Sequence, residues 1–245
     1  MTTGVEMKLY VQSLMLVFGL CALPFMVMAD ESGLSFSVRV LGGNWSGKNK
    51  TSDTEFQSTE GSQLAFSGLY QYRKFYTGLN LQGGEYTFEE NTPDQVTPAG
   101  RTEISNDKIT HNELDLIFGY YLTTHVSLFL DFKTVTNTWE SNSYEQKFGG
   151  AALGVTGNWP VAMNWQLYGS LGRISAGEIT TNDQKIGKGS STGIELGALY
   201  QFSKQHRVIF GFKGTNYYYK FDSGDEQNHT INGAFLGYNY AFALN

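Results

Sequence analysis

The chain is short of cysteine, proline and charge: its 245 residues include one cysteine, Cys21, and four prolines, and 16% are charged. A lone cysteine rules out a disulfide framework, so packing or a membrane must hold the fold together. Charged residues usually make up about a quarter of a globular domain, so this chain has too few to coat a whole fold in charge. Basic charge is scarcer still, with 17 Lys and Arg against 23 Asp and Glu and a formal net charge of −6. That balance argues against nucleic acid as a partner, which requires a basic stripe. Neither a His-Glu-x-x-His pair nor a Gly-x4-Gly-Lys-Ser/Thr loop is present, so no metal site and no cofactor are expected. Helical periodicity is missing, and beyond residue 29 no apolar run reaches the roughly 18 residues of a helical span. Glycine and aromatics are plentiful, with 29 Gly, 15 Tyr, 17 Phe and 4 Trp, a composition that excludes a disordered chain.

The N-terminus carries an export address. Lys8 precedes an apolar run from Leu9 to Met28 that closes on Val27-Met28-Ala29 and turns polar at Asp30. This is the layout of a secretory signal with a small-x-small exit. Pro24 and that exit favour cleavage over a retained anchor, so residues 1–29 are predicted to be removed, and Cys21 with them. Residues 30–245 are then predicted to form a single domain.

The dominant period in that domain is two. Leu114, Leu116, Phe118, Tyr120 and Leu122 alternate with Glu113, Asp115, Ile117, Gly119 and Tyr121, and Val126, Leu128, Leu130 and Phe132 with Ser127, Phe129, Asp131 and Lys133. Similar dyads recur from Leu34 to Phe242 and predict about ten strands, each long enough to cross a bilayer at a tilt, with eight or twelve as the neighbouring even counts. The connections alternate in length. Short turns are predicted near 73–76, 122–124, 158–164 and 202–205, and longer polar loops near 46–60, 88–108, 140–145, 176–188 and 222–228. The predicted fold is all-β, a closed antiparallel transmembrane β-barrel with both termini on the short-turn side. Two aromatic girdles are expected on its outer surface: Trp159, Trp165, Tyr200, Phe202, Tyr240 and Phe242 at the short-turn end, and Trp45 and Trp139 at the long-loop end. Tyr72, Phe75, Tyr76, Tyr120 and Tyr121 extend the first belt, and Tyr86, Phe88, Tyr144 and residues 217–221 the second.

The pattern over residues 30–242 resembles that of Gram-negative outer-membrane β-barrel proteins, of the small single-chain kind that includes the OmpA-, OmpX- and OmpW-like barrels. Gly237-Tyr238-Asn239-Tyr240-Ala241-Phe242, a glycine followed by spaced aromatics ending in Phe, is similar to the terminal assembly signal of that family. Two features depart from it: Ala243-Leu244-Asn245 follow the terminal Phe, and Phe235 stands where a polar residue is usual. The resemblance implies the outer membrane of a Gram-negative bacterium, contact with its lipid and lipopolysaccharide, and insertion by the barrel-assembly machinery through the C-terminal strand.

Several charged residues fall on the inward face near mid-strand: Arg39, Glu113, Asp115, Asp131, Lys133, Glu195 and Lys213. Charges at that depth are costly unless paired or wet, so they are expected to meet in the lumen and plug it. Counting across the turns sets Glu195 opposite Lys213 and Glu113 opposite Lys133. The acidic stretch 85–107, with Glu89, Glu90, Asp94 and Glu103, is expected to be solvated.

Three histidines invite an enzymatic reading. His125-Val-Ser127 is similar to the His-x-Ser of outer-membrane lipid A deacylases, but the predicted turns put Glu140, the nominal third member, at the opposite end of its strand. His111 with Asp107, and His229 with Asp222 and Asp225, are predicted at the outer rim, where omptin-like proteases place their catalytic groups. Neither the Asp-x-Asp nor the Asp-x-His pattern of that family is present. No catalytic residue is therefore expected. The predicted function is a structural or surface-interaction role, adhesin-like, with a largely plugged lumen. The alternatives are a narrow porin-like channel for ions or small solutes, and an outer-membrane enzyme, omptin-like or lipid A-modifying, acting at the outer rim.

Overall fold

Alternating residues extend because a β-strand sends successive side chains to opposite faces, and in a barrel those faces meet different surroundings. In the computed structural model, which describes residues 32–244, ten long strands follow the dyads: β1 (Ser32–Asn49), β3 (Glu60–Tyr72), β4 (Phe75–Asn91), β7 (Ser105–Tyr121), β8 (Val126–Trp139), β9 (Glu145–Ala162), β10 (Trp165–Thr181), β11 (Gln184–Gln201), β12 (His206–Phe221) and β13 (Glu226–Leu244). The predicted signal segment lies outside the described residues. Three short strands sit in the outer connections: β2 (Thr54–Gln57), β5 (Gln95–Thr97) and β6 (Gly100–Thr102).

Long strands adjacent in sequence pair antiparallel, and the last returns to the first, with β13 on β1 from Ser32↔Leu244 to Asn49↔Gln227. On its other side β1 lies along β3, where the Ser58 amide donates to the Trp45 carbonyl at 2.8 Å and the Ser37 and Ser67 hydroxyls meet inside. The result is a closed ten-strand antiparallel barrel. β2 stands outside the ring, added to the outer end of β1 through Ser46↔Gln57 to Asn49↔Thr54.

A band of exposed apolar side chains encircles the half of the barrel nearer the short turns. Leu116, Leu153, Leu196, Phe212 and Leu236 point outward in it, with Leu153 70% and Phe212 71% exposed. Apolar surface arranged in this way is stable against lipid hydrocarbon and not against water. Trp159, Trp165 and Phe202 are exposed at its lower edge, with half-buried Tyr200, Tyr240 and Phe242 beside them, as a girdle requires. Tyr76 and Tyr121, expected in the same belt, instead turn inward and are buried.

Above the band the alternation inverts. On β8, Leu128, Leu130 and Phe132 point out over the lower part, whereas Thr134, Thr136 and Thr138 point out over the upper part, with Val135 and Trp139 buried inside. β12 makes the same exchange, from outward Phe210 and Phe212 to inward Tyr217, Tyr219 and Phe221. The predicted loop 176–188 is largely this upper wall: β10 and β11 run on to Thr181↔Gln184 and join through Asn182 and Asp183, both in the left-handed region that suits a two-residue hairpin. The register of β10 shifts at a bulge between Ile174 and Gly177, and a Cβ on Gly177 would lie 2.4 Å from the Phe148 ring, so that ring packs against bare backbone.

Candidate functional site

The lumen is the one compartment to which every strand contributes side chains, and it is divided into three tiers. The outermost is a packed apolar plug. Trp45 and Trp139 are fully buried in it with Phe88, Phe148, Tyr217 and Tyr219. The Trp45 ring centroid lies 5.5 Å from that of Tyr86, 5.7 Å from Phe88 and 5.5 Å from His111, edge-on to all three as aromatic quadrupoles prefer. Trp45 and Trp139 are therefore not girdle residues, and neither are Tyr86, Phe88, Tyr217, Tyr219 or Phe221. Above the apolar band the wall meets water on its outside, so its large apolar side chains turn inward.

The β4–β7 connection roofs this plug. Residues 92–96 are buried, with Val96 in the aromatic cluster. Asn49 Nδ2 donates to the Asp94 carboxylate at 2.9 Å and to the Thr92 carbonyl at 3.0 Å, and the Gln227 amide donates to the Asp94 carbonyl at 2.7 Å. On the far side of the mouth, Gln95 and Asn142 exchange side-chain hydrogen bonds and the Tyr144 hydroxyl donates to the Val96 carbonyl at 2.6 Å. Asp94 was expected in water. Burial raises its pKa to about 6, against the pull of Arg101 3.6 Å away, and Glu103 and Asp225 push the same way as burial.

His111 and His229, expected at the rim, are buried in the plug. His111 lies between Asn137 at 2.7 Å and Glu113 at 3.1 Å, and His229 meets Gln227 at 3.1 Å. The rim carboxylates do not join them; Asp107 instead accepts from the Ser141 hydroxyl at 2.6 Å. The third histidine pattern also comes apart, since His125 is exposed in a turn while Ser127 is buried with its hydroxyl 3.0 Å from that of Tyr76.

The middle tier is ionic and gathers all seven predicted residues; of the two predicted pairs, Glu113 and Lys133 do form an ion pair, though not as register partners, and Glu195 and Lys213 do not. Glu195 and Lys213 are opposite in register, yet Glu195 takes Arg39, whose Nη1 reaches both carboxylate oxygens at 3.0 Å, and a hydrogen bond from the Tyr168 hydroxyl at 3.0 Å. Lys213 reaches across the lumen to Glu113 at 2.8 Å and Gln82 at 2.8 Å. Glu113 faces Val135 in register and not Lys133, whose partner there is Asp115; the Lys133 ammonium bridges Asp115 at 2.7 Å and Glu113 at 3.1 Å. Glu113 also accepts from the Tyr217 hydroxyl at 3.0 Å, which ties the ionic tier to the plug. Long cationic side chains span a narrow lumen, so Arg39 and Lys213 pair across it, while Lys133 also keeps its register partner Asp115. Counting across turns missed Tyr168, Tyr217, Asn80 and Gln82, although the last two alternate with the outward Leu79 and Leu81 and could have been assigned inward.

The lowest tier mixes buried polar Ser37, Ser67, Gln71, Asn158, Gln166 and Asn239 with an apolar cluster of Leu69, Tyr76 and Tyr121. Within the ionic tier lies a cavity of ≈ 130 Å³, lined by Arg39, Asp115, Asp131, Lys133, Glu195 and Lys213 and reaching Ala152 and Ile174 of the plug.

No sequence-family model and no curated protein matches the chain. Among solved structures it is similar to the outer membrane protease OmpT of Escherichia coli, at 12% identity over 88% of this chain and 98% of that chain, with a TM-score of 0.54. Weaker likenesses include the β-domain of the Bordetella autotransporter BrkA, at 14% identity over 87% of this chain and 100% of that one with a TM-score of 0.42. The Pseudomonas putida toluene transporter TodX is matched at 12% identity over 86% and 89% with a TM-score of 0.32. At 12% identity what the likeness to the protease OmpT shows is the fold alone, that of an outer-membrane β-barrel.

Proposed function

We propose that this chain is a non-enzymatic, non-conducting barrel of the Gram-negative outer membrane that acts through the surface its outer loops present, in an adhesin-like or structural role. The observation that carries this reading is the roofed apolar plug: Trp45, Phe88, Trp139 and Phe148 pack the outer lumen without solvent exposure above 1%. The reading groups the chain functionally with small single-chain barrels of the OmpA-, OmpX- and OmpW-like kind. Supporting it, the outer rim is polar, with exposed Asp53, Glu55, Glu89, Glu90, Glu140 and Asp183. Lipid and lipopolysaccharide cover the apolar band, and the barrel-assembly machinery receives the chain through β13.

The test is planar-bilayer recording of the refolded barrel together with adherence of cells displaying it. No current steps are expected from the parent, and steps are expected once residues 93–103 are replaced by a short Gly-Ser link and Trp45 by Ala. Steady conductance of the parent sinks the plug. Adherence unchanged after grafting neutral residues onto the 50–59 and 182–185 tips sinks the surface role.

A further inference from the structure

We propose that the mid-lumen cavity is a binding site for a monovalent alkali cation, held by Asp131 and Asn80.

The ionic tier around the cavity is not electrically balanced. With His111, 3.1 Å from Glu113, counted as neutral, Arg39, Lys133 and Lys213 face Glu113, Asp115, Asp131 and Glu195, which leaves one negative charge in excess among the described residues; Arg207, also buried, lies further down β12 toward the short turns. Each cation is already engaged: Arg39 by Glu195, Lys213 by Glu113 and Gln82, and Lys133 by Glu113 and Asp115. Asp131 is the carboxylate left over. It is 7% exposed, forms no ion pair within 4 Å among the described residues, and its Oδ1 has no hydrogen-bond partner there.

A second orphan lines the same cavity. Asn80 is 3% exposed and spends its amide N–H on Asp115 at 2.6 Å, which leaves Oδ1 buried and without a partner among the described residues. Both orphaned atoms are hard oxygen acceptors, and both belong to side chains that line a cavity of ≈ 130 Å³, room for a small ion with part of its hydration shell. A proton on Asp131 would cancel the charge but leave Asn80 Oδ1 unmet and the volume unused. A cation answers all three, and a single excess charge matches a monovalent ion. The site stands whether or not the outer loops bind a partner.

The experiment follows urea unfolding of the mature barrel in zwitterionic lipid as LiCl, NaCl or KCl replaces N-methylglucamine chloride at constant ionic strength. Above its dissociation constant, each tenfold rise in the favoured ion is expected to lower the unfolding equilibrium constant about tenfold. Asp131→Asn is expected to abolish that dependence, Asn80→Leu to shift it to higher concentration, and Asp222→Asn, in an outer turn, to leave it intact. A parent indifferent to all three ions overturns the site, as does a dependence that survives Asp131→Asn. Should Asp131→Asn fail to fold, the parent decides alone: saturable broadening of the ²³Na resonance, reversed by competing K⁺ or Li⁺, supports the site, and its absence overturns it.

Discussion

The lower and upper halves of the same strands are built on opposite rules. On β12, Val208, Phe210 and Phe212 point outward over the lower half while Arg207 and Lys213 point inward; above, Asn216 and Lys220 point outward while Tyr217, Tyr219 and Phe221 point inward. The backbone ladder runs unbroken through the change, with β12 in register on β13 from His206↔Tyr240 to Lys220↔Glu226. What inverts is the solvent. Lipid outside the lower half lets apolar residues face out and lets polar and charged groups share the lumen with small apolar clusters such as Leu69, Tyr76 and Tyr121, whereas water outside the upper half drives apolar residues inward. The chain therefore stacks a membrane barrel beneath what is in effect a soluble one, and the ionic tier sits at their junction.

The sharpest way to break this comparison is to truncate one Trp from each half. Trp45→Ala removes a fully buried ring from the upper core and should cost about 3–5 kcal/mol in urea unfolding. Trp159→Ala removes a ring from the lipid edge and should cost clearly less; equal losses would mean the upper half has no core. Arginine scanning tests the outer surface. Leu196→Arg, in the apolar band, should cost roughly 2–4 kcal/mol on folding into lipid, while Asn216→Arg, outward above the band, should be near neutral. If the two behave alike, the inversion is misplaced.

A double-mutant cycle sharpens the junction. Arg39 and Glu195 should couple by about 1–3 kcal/mol, while Glu195 and Lys213, neighbours in register, should couple by less than about 0.5 kcal/mol. The smallest effect concerns the roof. Asp94 has its pKa raised by burial from 3.8 to about 6, so over that window the folded roof keeps a proton that the unfolded chain releases. Its contribution to stability is greatest below pH 3.8, falls as pH rises to 6, and is level above. Hydrogen exchange of residues 92–96 should accordingly speed up between pH 4 and 7 beyond its intrinsic rate, and Asp94→Asn should remove the excess.

Much of the lower half was legible because lipid exposure gives alternation a single meaning. Leu116, Leu130, Leu196 and Phe210 could be placed outward, and Asp115, Asp131, Glu195 and Lys213 inward, from period alone. The same rule failed for Trp45 and Trp139. An aromatic near a strand end reads alike whether it anchors to a lipid interface or plugs a lumen, and deciding between the two requires knowing where the lipid stops. The buried roof was illegible for a similar reason: Asp94 is acidic and lies in a long connection, and only its approach to Asn49 and Gln227 takes it out of water.

By itself, then, the sequence determined the strand architecture, the direction of the short and long connections, and the set of charges that meet in the lumen, because a period of two and the cost of unpaired charge act locally on each strand. The tertiary structure decided where the alternation inverts, which carboxylate each cation takes, and that Asp131 is left without one. Those outcomes depend on distances across a closed ring, which exist only once β13 has met β1.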